Sequence, residues 1–149
     1  MEAKDKMNMH GAMTATLIKG DGTVHTLHKD NIIVNVGFDF VANAIGAASG
    51  RPAVMSHIGI GTGTTAAAAT QTALVAEINR QAATYAHTTN TKTFTFTATF
   101  APGVGTGAIT EAGVINAATG GILLDRVVFG VINKAALDTL QVTFTFTMS

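Results

Sequence analysis

"KTFTFTATF", residues 92–100, and "QVTFTFTMS", residues 141–149, decide how this chain folds. In the first, Phe94, Phe96, Ala98 and Phe100 alternate with Thr93, Thr95, Thr97 and Thr99. In the second, Val142, Phe144, Phe146 and Met148 alternate with Thr143, Thr145 and Thr147. Successive side chains of a strand point to opposite faces, so each segment reads as a strand with one apolar and one threonine face. A fully buried phenylalanine contributes about 1.5–3 kcal/mol. Phe94, Phe96, Phe100, Phe144 and Phe146 are therefore the expected anchors of the core. Threonine alone gives a sheet no charge to guard it against sticking. Such a face either forms a further layer between sheets or meets a partner.

Outward from these strands the chain is punctuated by glycine. Gly20-Asp21-Gly22 separates two partly alternating runs and predicts a hairpin. Ile32, Val34 and Val36 predict a short strand ended by Gly37. Phe38, Val41, Ala42 and Ile45 fall at i, i+3, i+4 and i+7, the stripe of a short amphipathic helix. "AVMSHIGIG", residues 53–61, reads as a buried strand, and Leu74, Ile78 and the pair Glu77/Arg80 predict a turn or two of helix around Thr70–Asn79. "AITEAGVIN" and "GGILLDRVVFGVI" predict a pair of strands joined by residues 117–121. The expected fold is all-β: a β-sandwich, jelly-roll-like, with one or two short helices. Residues 1–12 are polar, methionine-rich and aperiodic, and read as an extended N-terminal arm on a single domain spanning 13–149.

The composition narrows function. The 149 residues carry nine basic and nine acidic side chains, so only 12% are charged where about 25% is usual. Apolar residues reach 47%. A chain that diffuses freely as a monomer normally keeps a charged surface of non-zero net charge. This one is expected to be covered by other subunits or by a larger assembly. No lysine or arginine stripe offers the phosphate-neutralising charge of a nucleic-acid binder. No run reaches membrane-spanning length, the first residues lack a signal-peptide core, and no cysteine is present. Nucleic acid, membrane and small-molecule substrate are not expected partners.

Sequence-level chemistry is sparse. Gly61-Thr-Gly63-Thr-Thr-Ala66 fits the dinucleotide fingerprint, but the acidic residue that should follow about 20 positions on is replaced by Glu77, which comes too early. No Gly-Lys-Ser/Thr follows either, so Gly59, Gly61 and Gly63 read as architectural turn formers. His10, His25, His28, His57 and His87 show no metal-binding spacing, and no cofactor or metal is expected. Ser49, Ser56 and Ser149 lie outside any nucleophile motif. The carboxylates are scattered, and the chain does not read as an enzyme.

Three stretches taken in order carry a resemblance. They are "KDNIIVNVGFDFVANAIG" (29–46), "IGIGTGTTAAAATQTALVAEINR" (58–80) and "ITEAGVINAATGGILLDRVVFGVINKAALDTLQVTFTF" (109–146). The set resembles small structural proteins of tailed bacteriophages, in capsid decoration (cement) and in tail-fibre contexts. The resemblance implies a homodimer or homotrimer on the outer surface of the virion capsid, made in the host cytoplasm, that binds the major capsid protein and bridges its subunits. It implies no active site. Residues 1–12, with Lys4, Lys6, Met7 and Met9, would be the reaching arm. Glu77, Arg80, Glu111 and Arg126 would form a paired charge network that fixes the glycine turn. A tail or fibre-attachment protein is the alternative in the same class. A carbohydrate-binding sandwich is the alternative outside it, though tryptophan is absent and Tyr85 is the single tyrosine.

Overall fold

The computed structural model describes residues 6–149. Its elements are β1 (Met9–Ile18), β2 (Val24–Asp30), β3 (Ile32–Ile33), α1 (Asn35–Gly46), β4 (His57–Gly61), β5 (Glu77–Ala82), β6 (Thr84–His87), β7 (Thr93–Phe100), β8 (Gly107–Ile115), β9 (Asp125–Lys134) and β10 (Thr139–Met148). They form two five-stranded antiparallel sheets, sheet 1 in the order β2-β1-β10-β7-β6 and sheet 2 in the order β3-β9-β8-β4-β5. This is the expected all-β sandwich, with one helix.

The pairings nest. β1 pairs with β10, β3 with β9, β4 with β8 and β6 with β7, so the chain is an antiparallel ribbon rolled upon itself. At two corners a nearly continuous strand leaves one sheet and enters the other: β2 becomes β3 at Asn31, and β5 becomes β6 at Ala83.

The two phenylalanine–threonine segments are neighbours, β7 and β10, with Phe94, Phe96 and Leu140 set opposite Phe146, Phe144 and Phe100. Phe96, Phe100, Phe144 and Phe146 are buried between the sheets with Met13 and Leu17. Ile58, Ile60, Ile109, Val114, Val127 and Phe129 meet them from sheet 2. Phe94 is half-buried against this core and stacks on Phe146 with centroids 5.2 Å apart. Because the apolar half of each strand fills the inter-sheet space, the threonine half faces outward. The threonines are the outer face of sheet 1, not a further layer.

The local elements match expectation in part. The Gly20–Gly22 hairpin joins β1 to β2, with Gly22 at φ 89°, a left-handed position that favours glycine. The strand expected through Val36 is only Ile32–Ile33, and the helix starts at Asn35. Gly37 packs against the Leu124 backbone carbonyl, too close for a Cβ, so it fixes which side of α1 faces the sandwich. Phe40 and Val41 consequently pack on the core, while Phe38, Ala42 and Ile45 of the expected stripe are exposed.

The helix expected around Thr70–Asn79 is instead irregular chain followed by β5, which pairs with β4. Tertiary pairing and acceptors for the Val75 and Ala76 amides outweigh the helix propensity of the alanines. At the N-terminus β1 begins at Met9, inside the segment read as an arm, and Met9 packs on the core. Lys6 and Met7 are exposed, and Lys4 lies outside the described residues.

Candidate functional site

The outer face of sheet 2 carries the densest polar construction. Residues 62–76 link β4 to β5 with neither helix nor strand, an uncommon length of irregular chain in a compact domain. The segment sets its Leu74 into a small second core with Val34, Ile115 and Leu123. Its backbone groups need partners, and Glu111 on β8 supplies them. Glu111 Oε1 accepts from the amides of Gly63 at 3.1 Å and Ala76 at 2.7 Å. Oε2 accepts from the Val75 amide at 3.0 Å and from Arg126 Nε at 2.8 Å. These four bonds fill the acceptor capacity of a carboxylate.

Arg126 on β9 continues the clamp. Its Nη1 donates to the Thr65 carbonyl at 2.8 Å and to Gln71 Oε1 at 2.9 Å. Both members of the Glu111–Arg126 pair are fully buried. Burial pushes the Glu111 pKa up, but the Ala76 and Val75 amides and the Arg126 guanidinium outweigh it, so the carboxyl stays below its ordinary range. The pair is fixed in its charged form and holds a loop.

Glu77 and Arg80 make a second, bidentate pair, with both contacts at 2.7 Å. Arg80 Nη1 also donates to the carbonyls of Ala117 at 2.9 Å and Gly120 at 2.7 Å, which ties β5 to the β8–β9 connection. Asn116 braces the same connection: its Oδ1 accepts from the Ile122 amide at 2.6 Å and its Nδ2 donates to the Ala53 carbonyl at 3.0 Å. The four charged residues singled out in the sequence thus form two pairs, each a staple. No ion pair links one to the other among the described residues.

The glycines make room for these carboxylates. Gly59 and Gly61 lie within β4 rather than in a turn, with no left-handed φ. A Cβ at Gly61 would sit 2.5 Å from both the Ala76 carbonyl oxygen and Glu111 Oε1. One at Gly59 would sit 2.6 Å from Glu77 Oε2, and one at Gly63 2.6 Å from Glu111 Oε1. Close approach, not backbone freedom, is the reason for glycine here. The fingerprint-like loop cradles its own acids, and a phosphate at Gly63 would compete with Glu111 for the same amide.

A buried acid sits one residue before Arg126. Asp125 Oδ1 accepts from the Val114 amide at 2.9 Å, and Asn31 Nδ2 makes a close hydrogen bond to Oδ2. Burial dominates over these two bonds and pushes its pKa up to about 7. Asn31 Oδ1 is buried without a donor partner. Lys134, also buried, donates from Nζ to the Ala101 carbonyl at 3.0 Å, and its burial lowers its pKa against the pull of Asp138. Sequence reasoning misses Asn31, Gln71 and Asn116, and counts Asp125 only among scattered carboxylates. Of these, Asn31 and Asn116 had a signal, at the head of "NIIVNVG" and at the end of "EAGVIN".

Two other surfaces stand out. An apolar groove of about 460 Å³ opens between α1 and one end of sheet 1, lined by Met9, Phe40, Val41, Ala44, Met55, Tyr85 and Phe94, among others. The outer face of sheet 1 presents Thr14 and Thr16 beside Thr143, Thr145 and Thr147, then Thr93, Thr95, Thr97 and Thr99. Thr97 and Thr143 hydrogen-bond across the strands at 3.0 Å, and Thr14 meets His28 Nδ1 at 2.8 Å. Among the described residues, no three His, Asp or Glu side chains gather as for a metal ion. Ser56 Oγ lies 2.8 Å from His57 Nδ1. Compared with known proteins, the chain matches no family model, no curated protein and no solved structure.

Proposed function

We propose that this chain is a structural component of a tailed-bacteriophage virion, a capsid decoration protein. It binds the outer surface of the major capsid protein and works there as a homo-oligomer. The observation that carries the reading is the outer face of sheet 1, a broad hydroxyl surface with charge only toward its β2 margin, at Asp30. β-Branched threonines on adjacent strands, about 4.8 Å apart, offer many weak contacts and no steering charge. A protein that reinforces a shell needs area of this kind rather than a reactive group. The ordered motif set supports the reading from another side, because its glutamates and arginines are taken up in stapling loops.

The test is co-sedimentation of the purified chain with undecorated capsids. Saturable binding is expected, lost when Thr97 and Thr145 are both replaced by lysine in a variant that keeps its folded spectrum. Absence of binding by a folded sample at saturating concentration overturns the proposal. Density located on the tail of intact virions would move the protein to the fibre-attachment class.

A further inference from the structure

Sheet 1 ends in an unguarded strand. β6 hydrogen-bonds to β7 on one side and to no strand on the other. The remaining outer strands are protected: β2 carries Lys29 and Asp30, β5 carries Glu77 and Arg80, and β3 is only two residues long. β6 reads Thr-Tyr-Ala-His, exposed at all four positions, with no lysine, acid or proline and no bulge in its pairing. Besides extreme shortness, charge, proline and bulges are means by which sheets avoid pairing edge to edge. Here they are missing.

The apolar groove adjoins this edge, and Tyr85 belongs to both. Val54 in its wall is 77% exposed and Tyr85 58%. At 100° per residue, Phe38 and Ile45 lie about a quarter turn round α1 from the buried Gly37 and the groove-lining Ala44, with Val41 between them. They are 52% and 68% exposed. The apolar surface of the groove therefore runs on along the flank of the helix.

We infer that β6 is the docking edge for a second copy of this chain, paired antiparallel with its counterpart about a two-fold axis. This deepens the self-association in the proposed function by naming its surface. A strand paired antiparallel with itself is self-complementary by symmetry. With no lysine, arginine or acid among its four residues, the edge sets no such charges against each other, and a formal net charge of zero adds no long-range repulsion between copies. Phe38, Ile45, Val54 and Tyr85 leave on the order of 400 Å² of apolar surface in water per copy. A contact that covers all four on both copies, together with the β6 backbones, reaches the roughly 1,000 Å² that separates a specific interface from an incidental one. The pairing joins two five-stranded sheets and carries the threonine face across both copies.

Sedimentation equilibrium and light scattering of the full chain, from micromolar to near-millimolar concentration, read the result. A dimer is expected. Ala86→Lys on the edge and Ile45→Lys on the helix flank should each weaken it about ten-fold or more, the first because it brings like charges together beside the two-fold axis and the second because it puts a charge on apolar surface that the contact buries. Leu137→Lys, beside Gly20 at the far end of β1, should leave it unchanged. Unaltered circular dichroism and melting confirm that the variants fold. A wild-type monomer overturns the inference and the self-association together. A trimer, or a dimer indifferent to both edge variants, overturns the inference alone. Capsid co-sedimentation is scored separately, so the two failures are distinguishable.

Discussion

Replacing Asp125 by asparagine should change how stability depends on pH, and the direction is unusual for a carboxyl. Asp125 is fully buried, and its pKa rises from 3.8 to about 7 because burial outweighs two hydrogen bonds. Between those values the folded protein holds a proton that the unfolded chain has released. Stability therefore falls as pH rises from about 4 to about 7, then levels off once both states are ionised. A shift of about 3 units at 1.36 kcal/mol each makes the loss about 4 kcal/mol across the window. The asparagine of D125N keeps an acceptor for the Val114 amide and cannot ionise. Its amide nitrogen would face Asn31, whose own amide can turn to present Oδ1, the atom that now lacks a donor. The D125N variant should thus match the wild type near pH 4 and exceed it by a few kcal/mol at pH 8. Urea titrations at unit pH steps, with m-values checked for constancy, measure the difference directly. A wild-type-minus-variant difference that stays flat from pH 4 to pH 8 would refute the assignment of Asp125 as a buried, neutral acid.

Two further substitutions test the staple beneath residues 62–76. Arg126→Met leaves Glu111 buried and charged without its guanidinium, and should cost about 3–5 kcal/mol in denaturant titrations. Adding Glu111→Gln should restore part of that loss, whereas additive losses would speak against a coupled pair. Gly61→Ala forces a methyl group against the Ala76 carbonyl and Glu111, with an expected cost of about 3 kcal/mol from overpacking. Amide exchange should show the penalty concentrated in the Val75 and Ala76 amides, and a silent substitution would mean the glycine is not there for space.

The alternation of phenylalanine and threonine determined two one-faced strands by itself, because the two-residue period of a strand converts sequence order into faces directly. The sandwich followed only with the glycine-punctuated strands around them. The Gly20–Gly22 hairpin and the β8–β9 pair were legible for the same local reason. Only tertiary structure decided the rest. Residues 70–79 have a helical composition, yet β4 offered a free edge and Glu111 offered acceptors from 35 and 36 residues away, and these outweighed local propensity. The stripe of α1 was visible, but a periodic stripe does not say which side meets the core. The Leu124 carbonyl against Gly37 made that choice. The four charges were legible as motif residues, and their pairing as Glu77–Arg80 and Glu111–Arg126 became visible only when β5, β8 and β9 lay in one sheet. The burial of Asp125 gave no signal at all, since an aspartate's burial is a property of what surrounds it and not of the letters beside it.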